Sequence, residues 1–385
     1  MLSQLPQMPV YPLWPFTIES AKGSWIITDK GEKFLDMYGG HAVASVGHCH
    51  AKLTEAISSQ AAKLMFYSNV CDLKIRNQFC NKLMSHMPKS MQAVFLCNSG
   101  AEANENALTL ARLKTGRRNI ISVQGGFHGR TALCLSICGI EKYRKLSAQN
   151  GKPVFDDVAF LDFNDLASID NMVDQNSAAV ILEPVQGLAG ARAFTKEFLL
   201  HLKQRCEETG TMLIFDEVQC GSGRTGTYTA AEHCGVSPNI ITMAKGLAGG
   251  FPVGATVADN SFDDILKAGT LGTTFGGGPL ACAAGLATLN IIEEENLLDN
   301  VREISRHIFD KLSECKGIKN ISGKGFLIGI TTDIPSSQLI KDLREKHNII
   351  AGSSTDPNTM RIMPPLTLQK KEAEIFTNAV RSILS

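Results

Sequence analysis

The sequence predicts an α/β protein with a mostly parallel central sheet, helices on both faces of that sheet, and a smaller α+β domain. Three observations lead to this fold class. The chain has 385 residues, more than one hydrophobic core usually organises. Short apolar segments alternate with helical patterns between residues 90 and 290. After residue 288 the strand and helix patterns lose that regular alternation.

Seven apolar segments rich in β-branched residues predict the strands of the central sheet. They are apolar throughout rather than alternating, which is typical of strands buried on both faces. The helical patterns between them, including residues 101–114 and 196–208, indicate crossover connections and therefore parallel strands. The predicted strands are residues 93–97, 119–123, 158–161, 178–182, 212–215, 240–243 and 253–257.

The same patterns predict the domain organisation. Residues 46–288 form the large domain and residues 289–385 form the small one. In the small domain we expect a long amphipathic helix over residues 293–312, a strand near 326–330, a helix, two short strands and a final helix. Residues 1–45 carry short strands of their own and are expected to join the small domain as a discontinuous segment.

Composition excludes several classes of function. The 38 Lys and Arg residues balance the 38 Asp and Glu residues, so we expect no nucleic-acid partner and no cationic membrane surface. No apolar segment approaches the roughly 18 residues that a membrane span needs, and the proline-interrupted start does not resemble a signal peptide. The 11 cysteines are an odd number, which indicates a reduced chain in the cytoplasm.

Two short motifs could suggest a metal. Cys134 and Cys138 are spaced C-x-x-x-C, and His48-Cys49-His50 places three ligand-type side chains in a row. Neither motif has a second ligand pair at the spacing of a zinc site. Packing or loop roles are the favoured interpretation, and no metal is predicted.

Open α/β sheets bind ligands beyond the carboxyl ends of their strands, so the residues that follow each strand are the candidates. Ser99 precedes a helix and, with Glu102, fits a capping box whose free amides could bind a phosphate. Phe127 and Arg130 lie in a glycine-rich loop, where an aromatic ring and a guanidinium can approach one ligand. Taken singly, an ordinary capped helix and a surface loop explain these features equally well.

Later strands end in further candidates. Asp216 directly follows an apolar strand, where a protonated heterocyclic nitrogen would stabilise the carboxylate, although an aspartate capping a turn is the alternative. Lys245 follows the next strand, and partial desolvation would make its amine a nucleophile, unless it extends to solvent. Thr273 and Thr274 precede a glycine run and could donate to a phosphate. Residues 221–226 match G-x-G-x-x-G but open no helix, so we predict a loop rather than a dinucleotide site.

Together these candidates are the parts of a pyridoxal phosphate site: a phosphate cradle, a ring-stacking aromatic, an acid for the ring nitrogen and a lysine for a Schiff base. Nearly end to end, the chain also resembles the class-III, fold-type-I pyridoxal-phosphate-dependent aminotransferases, and within them the acetylornithine and succinylornithine aminotransferases. The motifs that carry the resemblance are residues 97–105, 127–131 and 215–219, with further matches at 31–36, 47–50 and 360–365.

The resemblance implies a role for each candidate. Lys245 and Asp216 are the implied catalytic residues, one as the Schiff-base lysine and proton carrier, the other as the partner of the pyridine nitrogen. Arg130 and Arg361 bind substrate carboxylates, and Thr273 approaches the substrate. The implied cofactor-binding residues are Ser99, Gly100, Ala101, Phe127, Asp216, Val218, Gln219, Lys245 and Thr274.

The resemblance also implies a reaction and an assembly. The expected reaction transfers the δ-amino group of N-acetyl- or N-succinyl-L-ornithine to 2-oxoglutarate in arginine biosynthesis, in the cytoplasm. Thr274 would reach the phosphate of a neighbouring subunit, so a homodimer with shared active sites is expected. The alternatives are another class-III enzyme, such as an ornithine or 4-aminobutyrate aminotransferase, a decarboxylase or an aminomutase, and a non-catalytic cofactor-binding protein.

Three residues depart from the pattern of the family. Leu188 stands where related enzymes carry a glutamate that neutralises the glutamate-binding arginine, and Arg192 adds a cation shortly after it. Gly278 replaces an asparagine that is common in the family. The missing acid and the extra base favour N-succinylornithine over N-acetylornithine as donor, whereas simple packing of Leu188 against the acyl chain is the alternative.

Overall fold

The computed structural model describes residues 8–385. The first seven residues of the predicted segment 1–45 lie outside this range. The helices are α1 (Gly39–Ala42), α2 (Ala51–Lys63), α3 (Lys74–Met84), α4 (Gly100–Thr115), α5 (Ala132–Ser136), α6 (Glu141–Arg144), α7 (Leu166–Met172), α8 (Lys196–Thr209), α9 (Pro279–Glu294), α10 (Leu297–Ser313), α11 (Ser336–His347) and α12 (Lys370–Leu384).

The strands fall into one large sheet and several small ones. They are β1 (Ile18–Lys22), β2 (Trp25–Thr28), β3 (Lys33–Asp36), β4 (Met91–Cys97), β5 (Asn119–Val123), β6 (Ala148–Gln149), β7 (Lys152–Pro153), β8 (Val158–Leu161), β9 (Ser177–Leu182), β10 (Val185–Gln186), β11 (Arg192–Ala193), β12 (Met212–Asp216), β13 (Ile240–Met243), β14 (Gly254–Asp259), β15 (Ile318–Lys324), β16 (Leu327–Thr332), β17 (Ile349–Ile350), β18 (Gly352–Ser353) and β19 (Thr359–Ile362).

The large sheet has seven strands in the order β4-β14-β13-β12-β9-β5-β8. Strand β14 is antiparallel to both of its neighbours, and the pairs from β13 to β8 are parallel. All seven predicted strands lie in this sheet, with bounds that differ from the prediction by at most two residues. The prediction of a mostly parallel central sheet is confirmed.

Alternate residues of each strand enter cores on opposite faces of the sheet. In β12, Leu213 and Phe215 belong to the largest apolar cluster, whereas Ile214 packs with Leu108 and Ala111 of α4 in a second cluster. Helices therefore cover both faces, as the apolar strands predict. Helix α8 ends where predicted, because Gly210 adopts a left-handed φ of 66° that stops the helix.

The two four-stranded sheets are built from strands that precede or follow this unit in sequence. One four-stranded sheet has the order β1-β2-β3-β17 and another has the order β15-β16-β19-β18. Strand β17 comes from the C-terminal part of the chain and pairs in parallel with β3 from the N-terminal part. This pairing agrees with the expectation that the N-terminal segment joins the small domain, and the domain bounds themselves stay a prediction.

The predicted helix over residues 293–312 is wrong at its start. Helix α9 continues to Glu294 and α10 begins at Leu297, because Asn296 has a left-handed φ of 52° that a right-handed helix cannot contain. The predicted boundary at residues 288 and 289 thus falls inside α9. Three short strands, rather than the predicted two, follow α11. No helix within residues 8–385 has both the length and the apolar character that a membrane crossing requires.

Candidate active site

Strand β12 ends on Asp216, whose side chain is buried at the carboxyl edge of the sheet. Its Oδ2 accepts hydrogen bonds from Asn104 Nδ2 and His128 Nδ1, each over 2.8 Å. Its Oδ1 accepts the backbone N–H of Val218 over 3.0 Å. Donors from three separate segments therefore stabilise this carboxylate and fix its orientation.

The two side chains that bind Asp216 are themselves held in place. Asn104 Oδ1 accepts the Thr242 hydroxyl over 2.6 Å, and its Nδ2 also donates to the carbonyl oxygen of His128 over 2.7 Å. His128 Nε2 lies 3.3 Å from Ser122 Oγ. All of these side chains are buried, so the network holds the Asp216 carboxylate in a single orientation.

A second buried carboxylate, Glu183, fixes the loop that carries Phe127. It follows β9 and accepts the backbone N–H groups of Phe127 over 2.9 Å and of Gly187 over 3.0 Å. Burial raises the pKa of Glu183, and the negative charge of Asp216 raises it further. Glu183 thus connects two of the strand-end loops.

The start of α4 forms a compact cradle with neighbouring loops. Ser99 Oγ accepts the backbone N–H of Glu102 over 3.2 Å, whereas the Glu102 carboxylate binds Asn98 rather than completing the predicted capping box. A Cβ atom at Gly100 would lie 2.7 Å from Val218, and one at Gly129 would lie 2.7 Å from Ala101. The first amides of a helix have no acceptor within it, so this cradle can bind an anion.

Lys245 follows β13 in a left-handed conformation, with a φ of 43°. Burial lowers the pKa of its amine, and the charge of Arg361 lowers it too, while the carboxylates of Asp216 and Glu183 oppose the shift. Lys245 therefore shares one site with both acids and with Arg361. A non-glycine residue in this backbone region is strained, which is frequent at functional positions.

Arg361 is buried on β19 and has neutral partners. Its Nε donates to the carbonyl oxygen of Ser353 over 2.8 Å, and its Nη1 donates to Gln219 Oε1 over 3.2 Å. The same Gln219 oxygen lies against Gly187, where a Cβ atom would be only 1.8 Å away. Within the described residues no acid forms an ion pair with Arg361, so its guanidinium is free to donate hydrogen bonds to a substrate carboxylate.

Arg130 lies in a more open position. Its guanidinium carbon is 4.8 Å from the ring centre of Tyr143 and 5.9 Å from that of Phe127. The two rings meet edge to face, 5.2 Å apart. Arg130 is exposed, so its charge is available to a ligand that lies beside Phe127.

The threonine loop borders the start of α4 of the same chain. Thr273 Oγ1 accepts a hydrogen bond from Asn98 Nδ2 over 3.3 Å and from the Gly276 amide over 3.1 Å. Thr274 is exposed next to Phe275, which has 66% of its surface exposed. Gly278 directly precedes α9 and has no side chain to cap it.

Two of the residues that depart from the family pattern, Leu188 and Arg192, lie in the hairpin of β10 and β11. Arg192 donates to Gln186 Oε1 over 2.6 Å and to the carbonyl oxygen of Gln124 over 3.3 Å, and it stacks 4.3 Å from the centre of the Phe163 ring. Leu188 is partly exposed, and its carbonyl oxygen accepts the Thr355 amide over 3.0 Å. Arg192 is thus bound to groups of its own chain.

The fold and these strand-end residues define a pyridoxal-phosphate-dependent transferase, and comparison with known proteins gives the family. Residues 9–384 match the family described as class-III aminotransferases. The chain is 38% identical over 369 residues to the acetylornithine aminotransferase of Methanosarcina mazei, covering 95% of this chain and 91% of that protein. This protein belongs to the class-III aminotransferases.

Two solved structures agree with the family. The acetylornithine aminotransferase of Elizabethkingia anophelis is 28% identical, with a TM-score of 0.86, and the match covers 98% of this chain and 96% of that one. An ornithine aminotransferase of Toxoplasma gondii, with pyridoxal phosphate in its active site at partial occupancy, is also 28% identical, with a TM-score of 0.91 and coverage of 99% and 92%. The predicted family and cofactor are confirmed.

The residues present fit pyridoxal phosphate. The cradle at Gly100 has free amides for a phosphate, Phe127 is only partly buried beside it, and Asp216 supplies an oriented carboxylate for a ring nitrogen. Lys245 supplies an amine whose pKa burial lowers. All four lie at or just after the carboxyl ends of strands of the large sheet.

Sequence reasoning missed the residues that position the catalytic groups. Asn104 and His128 were not predicted to bind Asp216, and no role was predicted for Glu183. A signal for Asn104 was present, because it is the polar residue on the face of α4 that also carries Ala107 and Leu108. The contacts themselves join residues 24 to 138 positions apart, which spacing along the chain does not reveal.

Proposed function

We propose that this enzyme transfers the δ-amino group of an N-acylated L-ornithine, either N-acetyl- or N-succinyl-L-ornithine, to 2-oxoglutarate. The products are the N-acylglutamate semialdehyde and glutamate, as in arginine biosynthesis. The names of the relatives support this substrate class. The observation that carries it is a pair of arginines, as two carboxylated substrates require. Arg361 is buried near Lys245 and has no acidic partner within residues 8–385, and Arg130 is exposed beside Phe127 and Tyr143.

In this proposal Lys245 and Asp216 are the catalytic residues. Pyridoxal phosphate, when bound, supplies an electron-poor ring that stabilises negative charge on the carbon next to the substrate nitrogen. Lys245 Nζ removes the proton from the δ-carbon of the donor, and its lowered pKa suits it to act as a base. Asp216 keeps the ring nitrogen protonated, while Asn104 and His128 hold the carboxylate in position.

The other cofactor contacts follow from the cradle. The phosphate binds at the start of α4, to Ser99, Gly100 and Ala101. Thr274 of a neighbouring subunit adds a further contact to it. Phe127 and Val218 cover the two faces of the ring, which the contact of Val218 with the Gly100 position supports. Gln219 binds the phenolic oxygen of the ring. Its hydrogen bond to Arg361 would then connect the cofactor with the substrate pocket.

Substrate binding is divided between the arginines. Arg361 binds the α-carboxylate of glutamate or 2-oxoglutarate, and Arg130 binds the donor's carboxylate and the distal carboxylate of 2-oxoglutarate. Thr273 lies beside Asn98 at the edge of the cradle, within the loop that would approach the substrate. A planar guanidinium fork binds a carboxylate through two parallel hydrogen bonds.

We also infer a homodimer in which each Thr274 serves the neighbouring site. The support is an exposed apolar surface that includes Met65, Tyr67 and Val70. Next to Thr274, the ring centres of Phe66 and Phe275 lie 5.3 Å apart. Contiguous exposed apolar surface of this kind is typical of interfaces. The 11 cysteines are all free thiols, which supports a cytoplasmic location.

The proposed reaction is tested by measuring glutamate formation from 2-oxoglutarate with N-acetylornithine, N-succinylornithine, ornithine and 4-aminobutyrate in parallel. We expect the acylated donors to have the highest kcat/KM and to give an aldehyde at the δ-carbon, detectable by proton NMR. The Lys245→Ala enzyme is the control without turnover. A higher kcat/KM for ornithine or 4-aminobutyrate would refute the proposal and favour one of the other class-III activities.

A further inference from the structure

The turn α1 has an unusual backbone. Gly39, Gly40, His41 and Ala42 have φ values of 56°, 57°, 67° and 67°. Two of these four residues carry side chains in a region that L-residues rarely adopt, so the surrounding structure must hold them there. Strain of this kind often places a functional side chain, and His41 is the polar one in this turn.

The buried carboxylate of Asp36 fixes the entry to the turn. Its Oδ1 accepts the amides of Tyr38 and Gly39, each over 2.9 Å, and its Oδ2 lies 2.8 Å from His48 Nε2. A Cβ atom at Gly39 would be 2.8 Å from the carbonyl oxygen of Met363. The turn is thus held by hydrogen bonds to Asp36 of β3 and packs closely against the segment that follows Arg361.

The turn lies between the segments that carry Arg361 and Lys245. On one side of it the Met363 amide donates to the carbonyl oxygen of Met37 over 2.7 Å, and on the other Ser45 Oγ donates to the carbonyl oxygen of Gly246 over 2.7 Å. Burial lowers the pKa of His41, and the positive charges of Lys245 and Arg361 lower it further. These are the charged groups that face it from the segment after β13 and from β19. His41 is exposed, so its imidazole is accessible to a ligand bound beside Lys245 and Arg361.

Tyr38 determines how the imidazole is oriented. Its hydroxyl oxygen lies 2.7 Å from His41 Nδ1, and burial raises the pKa of Tyr38, which keeps the hydroxyl protonated. Among residues 8–385 His41 is the only hydrogen-bond partner of that hydroxyl. A neutral imidazole whose Nδ1 accepts the hydroxyl proton carries its own proton on Nε2.

We propose that His41, oriented by Tyr38, determines specificity for acylated donors by donating its Nε2–H to the carbonyl oxygen of the acyl group. This inference rests on the proposed function. The Nε2–H of His41, near the positive charges of Lys245 and Arg361, can donate a hydrogen bond to a carbonyl oxygen. The same positive surroundings repel the α-ammonium group of free ornithine. The same side chain would therefore attract the acylated donor and discriminate against the unacylated one.

The test compares the wild-type holoenzyme with His41→Gly. Glycine adopts the left-handed backbone without cost, so this variant removes the side chain without disturbing the turn. We expect the ratio of kcat/KM for N-acetylornithine to that for ornithine to fall by about tenfold, the loss of one favourable hydrogen bond combined with weaker repulsion. The half-reaction with glutamate should lose less than the half-reaction with N-acetylornithine, because glutamate has no acyl carbonyl oxygen for the Nε2–H to bind.

A binding measurement separates specificity from a structural effect. N-acetylnorvaline has neither a δ-amino group nor a free α-amino group and cannot react, so calorimetry on the holoenzyme gives its dissociation constant directly. His41→Gly should weaken binding of the acetylated compound and leave the melting temperature at or above that of the wild type. His41→Asn, which also tolerates the left-handed backbone but has a shorter side chain, should behave like His41→Gly, and Tyr38→Phe should give a smaller decrease.

The outcomes are distinguishable. If the wild type prefers acylated donors and both His41 variants keep the same ratio, the role of His41 is refuted and the proposed function stands. If the wild type prefers ornithine or 4-aminobutyrate, the proposed function itself fails. Equal losses for the donor and glutamate half-reactions would assign His41 a structural role and overturn the inference.

Discussion

His128 donates a hydrogen bond from Nδ1 to Oδ2 of Asp216 over 2.8 Å, and both side chains are buried. His128→Leu removes one of the three donors that orient this carboxylate. Because a hydrogen bond to a charged group contributes about 1.5–3 kcal/mol, we expect proton removal from the donor to slow by roughly 10- to 150-fold. Single-turnover kinetics with a δ-deuterated donor measures that step.

Two further variants serve as comparisons for the rate of proton removal in His128→Leu. Asp216→Asn should be slower than His128→Leu, because it removes the charge itself. His128→Asn can place an amide nitrogen near the position of Nδ1 and should lose less. A normal rate of proton removal in His128→Leu would show that Asp216 does not depend on this contact.

The buried amine of Lys245 should affect the stability of the cofactor-free protein. Its pKa lies below the ordinary value of 10.5 in the folded state. Between the lowered pKa and 10.5 the unfolded chain binds more protons, so the free energy of unfolding rises with pH across this window, and it falls as pH drops through the lowered pKa. Urea unfolding of the apoenzyme at several pH values measures this slope.

Lys245→Met is the matched variant for that measurement, since it has similar length and no titratable amine. It should be more stable than the wild type at neutral pH, and the part of the slope that belongs to Lys245 should disappear. An unchanged slope in Lys245→Met would mean that this amine is not desolvated in the folded protein.

Variants of Arg361 and Arg130 should impair the two half-reactions to different degrees. Arg361→Ala should mainly impair the reaction with 2-oxoglutarate, because the loss of a desolvated charge pair costs roughly 2–5 kcal/mol. Arg130→Ala should weaken both half-reactions. Arg361→Lys keeps the charge but not the fork and should fall between the wild type and Arg361→Ala. Stopped-flow measurement of each half-reaction checks the division, and equal losses for both in Arg361→Ala would contradict it.

Leu188 should influence the choice of acyl group. It lies one residue from Gly187, which packs against the Gln219 oxygen that Arg361 binds. Leu188→Glu would bring a carboxylate near Arg361 and should shift the ratio of kcat/KM several-fold from N-succinylornithine toward N-acetylornithine or ornithine. Leu188→Gln has the same length without the charge. If both variants change the ratio equally, packing rather than charge is the cause.

Much of the fold could be predicted from the sequence, because strands buried on both faces are apolar throughout. Residues 119–123 and 240–243 were predicted at their observed bounds for this reason. The break between α9 and α10 was not predicted, since the left-handed conformation of Asn296 interrupts a hydrophobic pattern that continues on both sides of it.

In the candidate site, too, some residues could be predicted from the sequence and others could not. Asp216 and Lys245 could be predicted because each lies at the carboxyl end of a strand, and these strand ends share one edge of the sheet. Asn104, His128 and the pair Tyr38 and His41 could not, because their positions depend on side-chain contacts and on a strained turn. Local sequence records neither of these.

The central claim is that the strand-end residues assemble a pyridoxal phosphate site on Lys245. Reduction of the holoenzyme with borohydride fixes the cofactor to the amine that holds it, and peptide mapping by mass spectrometry locates that amine. We expect the label on Lys245 alone, and no label in Lys245→Ala treated in the same way. A label on any other lysine of the wild-type enzyme, or a label that persists in Lys245→Ala, would contradict the assignment.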